Sequence, residues 1–112
     1  MPISMTFDEY SVGAARTEGF PEEVAVAYLV MGLAGEAGEL CNKYKKVLRD
    51  DDGQLTETKI KQMQDELGDV LWYLDRLADR LGTSLRVVAE KNLNKLASRA
   101  ERGVIAGSGD NR

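Results

Sequence analysis

Four acidic side chains in this sequence form two pairs with the same spacing. Glu36 and Glu39 are three residues apart, and so are Glu66 and Asp69. Residues at positions i and i+3 of a helix share a face, so each pair would present two carboxylates in one direction. Carboxylate oxygens are the ligands that Mg²⁺ and Mn²⁺ prefer in proteins. The pattern therefore predicts a divalent-metal site.

Such a site suits phosphate chemistry. Mg²⁺ held by carboxylates normally keeps positions open for water and phosphate oxygens. It polarises a phosphoryl group and helps to deprotonate an attacking water, and one of the glutamates can act as general base. Without a cation, four neighbouring negative charges would repel one another and their pKa values would rise. The alternative is that these acids lie on solvated helix faces, where they only aid solubility.

The composition excludes several other kinds of site. There is no histidine, which excludes Ser-His-Asp and Cys-His catalysis, His-ligated zinc, and di-iron bundles built on Glu-x-x-His motifs. The single cysteine, Cys41, cannot form an internal disulfide, which favours a reducing compartment. A net charge of -4 argues against binding to a nucleic-acid polymer. No apolar run approaches the length of a membrane span and the N-terminus does not resemble a signal peptide, so we expect a cytoplasmic protein without a membrane.

The acidic pairs fall on the two longest predicted helices. Apolar residues recur at steps of three and four over residues 21–48, and most regularly over residues 56–81. Two shorter helices are predicted, one at residues 6–17 after a capping box and one at residues 85–102. Antiparallel packing of the two long helices through a short loop would bring both acidic pairs to one place.

These elements predict an all-α four-helix bundle at residues 1–103, followed by a Gly-rich tail at residues 104–112. A chain of 112 residues leaves much of its surface exposed as a monomer, so we expect oligomerisation to complete the core. Gly32, Gly35 and Gly38 surround the first acidic pair. Each costs roughly 1 kcal/mol relative to alanine inside a helix, which predicts close approach of another backbone.

The two acidic segments resemble the signatures of MazG-type nucleotide pyrophosphohydrolases. Residues 32–40, with the lysines that follow, are similar to the first signature, and residues 65–73 are similar to the second. The resemblance implies a MazG-like all-α fold and hydrolysis of a (d)NTP between its α and β phosphates, giving (d)NMP and pyrophosphate. It implies a homodimer or homotetramer acting in nucleotide pool control or clean-up. The metal implied is Mg²⁺, with Mn²⁺ as a substitute, and its implied ligands are Glu36, Glu39, Glu66 and Asp69.

The resemblance also indicates residues that contact the nucleotide. Similar proteins hold the phosphates with an Asn and a Lys on the fourth helix. Lysines on the second helix lie on the same side as its acids, where they can serve phosphates or only pair with those acids. An aromatic four residues after the last acid can stack on a base or sugar. The tail resembles that of compact, phage-encoded members, and its alternative is a disordered terminus. The candidate substrate contacts are Asn92, Lys95, Arg99, Lys43, Lys46, Tyr73 and Arg112.

Two other functions stay open at this point. One is phosphoribosyl-ATP pyrophosphohydrolase activity, from the same superfamily. The other is a non-catalytic helical interaction module, against which the intact set of four acids argues. If the protein is phage-encoded, its expected location is the cytoplasm of the host.

Overall fold

The computed structural model describes residues 4–103 and Gly107, and all regular secondary structure within them is helical. The chain is an all-α bundle, as predicted. The predicted tail lies outside the described residues, apart from Gly107. The helices are α1 (Phe7–Ala15), α2 (Ala25–Asp50), α3 (Glu57–Arg80) and α4 (Leu85–Arg102), and a short 3-10 turn (Glu22–Val24) leads into α2.

Side-chain caps fix where three of the helices begin. Thr6 and Glu9 form the predicted capping box of α1. Thr56 accepts a hydrogen bond from the backbone of Lys59 at the start of α3, and Ser84 does the same for α4. Each such cap contributes typically about 1 kcal/mol because it satisfies a backbone N–H that the helix leaves unpaired. These starts therefore follow from the sequence, whereas the 3-10 turn before α2 was not predicted.

The two long helices pack against each other as an antiparallel hairpin. Gly32 of α2 contacts Tyr73 of α3, whereas Glu36, one turn later on α2, lies beside Glu66, which precedes Tyr73 on α3. Leu29 and Val47 are fully buried on the inner face of α2. Helix α1 packs on α3 and α4, and α4 packs on α1 and α3 without contacting α2. The hairpin is thus the scaffold of both acidic pairs.

The glycines of α2 do not bring another backbone close, and that prediction was wrong. A Cβ placed on Gly32 would overlap the side-chain ring of Tyr73, so the approaching group is an aromatic side chain. A Cβ on Gly35 or Gly38 would meet nothing within 4 Å. Within the described part of the chain, Gly32 is therefore the only one of these three glycines at which a side chain would clash with a neighbour.

A buried network of charges ties the N-terminal segment to α3. Asp75 and Arg76 are only 2% and 4% exposed. The Ser11 hydroxyl of α1 donates to Asp75, and Arg76 pairs with Glu18 at 3.3 Å. Arg80 reaches the other oxygen of Glu18 at 2.6 Å. Because α1 packs on α3 and not on α2, these ion pairs and hydrogen bonds help to hold α1 in its position against the hairpin.

The apolar core of the single chain is small, and a regular apolar stripe remains exposed on α3. Ile60, Leu67, Leu74 and Leu81 recur every seven residues and are between 39% and 64% exposed. Seven residues is the repeat by which helices pack along a continuous seam. The buried apolar side chains are Ala14, Ala25, Leu29, Val47, Ala78 and Leu85.

Among the described residues, one helical stretch is long and apolar enough to cross a membrane. It runs through Glu22–Asp50. The prediction that no apolar run approaches this length was wrong by that measure, because glycines and alanines between the larger apolar residues keep the mean hydropathy high. Core helices of soluble proteins can have the same length and apolar composition, so these two properties alone do not indicate a membrane.

Candidate metal site

Three of the four predicted ligands meet at the α2–α3 interface. Glu36 from α2 and Glu66 and Asp69 from α3 each place one carboxylate oxygen within 4.8 Å of the other two. Glu36 and Glu66 are half-buried, whereas Asp69 is exposed. Their spacing on antiparallel helices produces this meeting point. The cluster is therefore open to solvent on one side, as a site that binds both metal and substrate must be.

The electrostatics of this cluster favour a cation. The pKa of Glu36 is raised by a hydrogen bond with the Glu66 carboxyl, by partial burial, and by the negative charges of Asp69, Glu66 and Glu39. Among the described residues, the buried Oε2 atom of Glu66 has no hydrogen-bond partner. An unsatisfied buried carboxylate oxygen is costly. A divalent ion would satisfy it and offset the repulsion, and an all-oxygen donor set fits Mg²⁺ or Mn²⁺.

Glu39 lies at the periphery of the cluster. It is exposed and does not belong to the group of three whose ligand atoms lie within 4.8 Å of one another. Its charge nevertheless contributes to the raised pKa of Glu36. Glu39 thus affects the electrostatics of the site, although its carboxylate does not lie among the three that converge.

Tyr73 closes one end of the acidic cluster. It is half-buried, and its ring rests against Gly32, one turn before Glu36 on the opposite helix. Its pKa is raised by burial, by Tyr28, and by the negative charges of Glu36 and Asp69. The structure therefore places this predicted residue beside the acids.

Trp72, next to Tyr73 in the sequence, contacts the end of α1. Its ring meets that of Tyr73 edge-on at 5.0 Å. The indole N–H donates to the Thr17 hydroxyl at 2.8 Å, and that hydroxyl donates to the carbonyl of Ala14. Trp72 therefore joins α3 to the end of α1.

The predicted phosphate-binding residues lie on two different helices. On α2, Lys43 is half-buried and Lys46 is exposed. Asn92 and Lys95 line an open cavity of about 440 Å³ on α4, a helix that does not contact α2. Arg99 is 4% exposed, whereas Arg112 lies outside the described residues.

Two tyrosines near the acids were not predicted from the sequence. Tyr28 lies two turns before Glu36 on the same face of α2, a periodicity that was available in the sequence. Tyr10 comes from α1, and its pKa is raised by burial and by the charges of Asp75 and Asp69. No spacing rule connects Tyr10 to Asp69, because only the packing of α1 on α3 brings them together.

Comparison with known proteins agrees with this architecture. The profile of the MazG nucleotide pyrophosphohydrolase domain matches residues 25–104 of the chain. The chain is also similar to the Gene 37 protein of Mycobacterium phage L5, with 48% identity over 114 residues, covering 96% of this chain and 100% of the phage protein. No solved structure matches it. The matched residues span both acidic pairs.

Proposed function

Because the chain belongs to the MazG nucleotide pyrophosphohydrolase family, we propose that it is a metal-dependent hydrolase of nucleoside or deoxynucleoside triphosphates. The proposed reaction cleaves the bond between the α and β phosphates and releases a monophosphate and pyrophosphate. The observation that carries the proposal is the convergence of Glu36, Glu66 and Asp69, one of which, Glu66, also has a buried carboxylate oxygen without a hydrogen-bond partner. A merely solvated acidic face would leave no such oxygen.

The proposed metal ligands are these three acids, joined by Glu39 from the periphery. A bound Mg²⁺ would polarise the phosphoryl group and lower the pKa of a water molecule. Glu39 is the exposed member of the set on α2, so it is also our candidate for the base that accepts the proton of the attacking water. Glu36 must lose its proton before it can bind a cation, which couples metal binding to pH.

Cationic and amide side chains are proposed to hold the phosphates. Lys43 and Lys46 follow the acids on α2, and Asn92 and Lys95 line the cavity on α4. The α2 lysines are our first candidates for phosphates bound at the metal, because they follow Glu36 and Glu39 on the same helix. Arg99 and Arg112 complete the proposed set.

The proposed assembly is a homodimer or homotetramer. The exposed stripe on α3 gives a physical reason, because burying four large apolar side chains stabilises an interface. The proposed location is the cytoplasm, which is the cytoplasm of the host if the gene, like that of the similar protein, belongs to a phage.

The test is product analysis. The purified protein is incubated with each standard NTP and dNTP, in Mg²⁺ and in EDTA, and the products are separated by chromatography. We expect monophosphate and pyrophosphate in Mg²⁺ only. Glu39→Gln, which removes the candidate base, should lower turnover by at least about 100-fold, the low end of what a positioned general base contributes. Glu101→Gln is the matched control, because it removes an exposed acid of α4 that does not belong to the acidic cluster.

Each other outcome contradicts a different part of the proposal. Diphosphate and phosphate would mean that the cleaved bond is misassigned. Mg²⁺ binding without turnover of any standard nucleotide, but with turnover of phosphoribosyl-ATP, would identify the other superfamily activity. Absence of both metal binding and turnover in a folded protein would favour a helical interaction module.

A further inference from the structure

The indole ring of Trp72 lies between the end of α1 and the aromatic ring beside the acidic cluster. Its N–H donates to the Thr17 hydroxyl at 2.8 Å, and its ring meets that of Tyr73 edge-on, with centroids 5.0 Å apart and planes at 83°. Edge-to-face contact at this distance is favourable for aromatic pairs. Tyr73 in turn lies against Gly32, where even a Cβ atom would overlap its ring. One continuous line of contacts therefore runs from α1 to the α2–α3 interface.

The Thr17 hydroxyl is a well-held partner for the indole. It donates its own proton to the Ala14 carbonyl at 2.8 Å, and its oxygen accepts from Trp72, so both functions of the hydroxyl are used. The next residue, Glu18, forms ion pairs with two arginines of α3, at 3.3 and 2.6 Å. These pairs hold the end of α1 against α3, which gives the indole a fixed anchor outside the acidic cluster.

The order of residues along α2 indicates how a nucleotide would lie at the site. Gly32, which contacts the Tyr73 ring, is one turn before Glu36. Lys43 is about two turns after Glu36, on the same side of the helix. In the proposed function the metal binds phosphates at the acids, and Lys43 attracts the far end of the polyphosphate. The nucleoside then extends in the other direction, towards Tyr73.

We propose that Trp72 is a positioning residue for nucleotide binding: held by Thr17, its indole fixes the Tyr73 ring, against which the nucleoside of the substrate rests. This inference rests on the proposed function. Gly32 has no side chain that would hold the ring from α2, so the edge-on indole is its lateral support. An indole released from Thr17 would let the Tyr73 ring move. The nucleotide would then bind less tightly, whereas the acidic cluster would be unchanged.

The test changes Thr17 and leaves both aromatic rings in place. Thr17→Val keeps the shape of the side chain and removes the hydroxyl, whereas the matched variant Thr17→Ser keeps the hydroxyl. KM, kcat and Mg²⁺ affinity are measured for the full chain with the preferred nucleotide. Trp72 is the only tryptophan in the sequence, so its indole N–H gives a single indole signal in a ¹H–¹⁵N NMR spectrum. That signal is followed in Mg²⁺ with the uncleavable α,β-methylene analogue of the nucleotide, and in Mg²⁺ with tripolyphosphate, which lacks a nucleoside.

In Thr17→Val we expect KM to rise about 2- to 10-fold, the range that one neutral hydrogen bond contributes, with kcat within about twofold and Mg²⁺ affinity unchanged. The indole proton should exchange faster with solvent in this variant, and Thr17→Ser should match the wild type in all respects. In the wild type, the methylene analogue should shift the indole signal and tripolyphosphate should not, because only the analogue carries a nucleoside.

A double-mutant cycle separates this role from general destabilisation. Because Thr17 acts through the indole, Thr17→Val should raise KM less in a Trp72→Phe background than in the wild type. Equal effects in both backgrounds would overturn the positioning role, and so would an unchanged KM in Thr17→Val or equal indole shifts with the two ligands. Unchanged indole exchange in Thr17→Val would disprove the hydrogen bond itself. All of these results leave the proposed function intact, whereas a wild type that turns over no nucleotide would overturn both.

Discussion

The Glu36 carboxyl makes the metal-free site sensitive to pH. Its pKa is raised above the ordinary value of 4.5, chiefly by its hydrogen bond with Glu66. A carboxyl that binds its proton more tightly when folded stabilises the fold at low pH, and this contribution is lost as pH rises from 4.5 through the raised pKa. Metal binding must displace the same proton, so Mg²⁺ affinity should increase over the same interval.

We therefore expect Glu36→Gln to raise the melting temperature of the metal-free protein at pH 7.5 by about 2–4 °C, and to have little effect at pH 4. The reason is that glutamine carries no charge for Glu66, Asp69 and Glu39 to repel. Thermal melts in EDTA at the two pH values measure this, with Glu101→Gln, which removes an exposed acid outside the cluster, as the control. In Mg²⁺ the order should reverse, because the wild type gains stability from the ion and the variant does not. Equal melting temperatures at pH 7.5 in EDTA would mean that the acids do not strain one another.

The contact between Gly32 and Tyr73 predicts that alanine has different effects at Gly32 and at Gly35. Alanine inside a helix is normally better than glycine by roughly 1 kcal/mol. At Gly32 the added methyl group would overlap the Tyr73 ring, and overpacking costs typically about 1–3 kcal/mol. Gly32→Ala should therefore destabilise the protein and raise KM. Gly35→Ala meets no atom within 4 Å and should stabilise it by about 0.5–1 kcal/mol in urea denaturation. Equal effects of the two changes would show that the ring moves away without cost.

At the scale of elements, the position of α1 depends on buried charge. Burial raises the pKa of Glu18, but hydrogen bonds and charges from Arg80 and Arg76 outweigh it and lower the pKa overall. Glu18 therefore contributes stability above its unfolded pKa, and this contribution is lost as pH falls through the lowered value. Arg76→Gln should cost about 3 kcal/mol in urea denaturation, because it leaves the buried Asp75 carboxylate without its cation and Glu18 with Arg80 alone.

The matched control for this prediction is Arg86→Gln. Arg86 also joins α1 to another helix, through Asp8, but all its ion pairs are exposed. Its loss should cost less than about 1 kcal/mol. Hydrogen exchange should show α1 opening more often in Arg76→Gln than in Arg86→Gln. Similar costs for both variants would mean that the buried network is no stronger than a surface pair.

The sequence predicted the helices better than it predicted their packing. Thr6, Thr56 and Ser84 were predictable as caps because capping depends on residues three positions away. The convergence of the acids also followed from local spacing, once the long helices were taken as antiparallel. The approach of Tyr10 to Asp69 and the role of Gly32 were not predictable, because both depend on which face of a distant helix meets the site.

Within the described residues, the single chain leaves its longest apolar stripe uncovered. The exposed residues of α3 recur every seven positions, and α2 carries exposed Val26, Val30 and Leu48. On both helices these positions lie on the flank away from the acids, so in an antiparallel hairpin the two flanks form one surface. A second hairpin packed on this surface would complete a four-helix bundle and leave the acidic side free. Such a partner would cover the exposed apolar side chains of α2 as well as those of α3.

Leu67→Glu tests this assembly. Leu67 is 55% exposed in the middle of the α3 stripe, and burying a carboxylate in an apolar seam costs several kcal/mol. We expect the wild type to be a dimer or tetramer by light scattering, and Leu67→Glu to weaken association by at least about tenfold. Val12→Glu changes an equally exposed apolar residue on α1, 59% exposed, and should keep the wild-type mass. Because the acids lie on the other flank, a dissociated variant that stays folded should still bind Mg²⁺. A wild type that is monomeric at all concentrations would show that the stripe has another occupant.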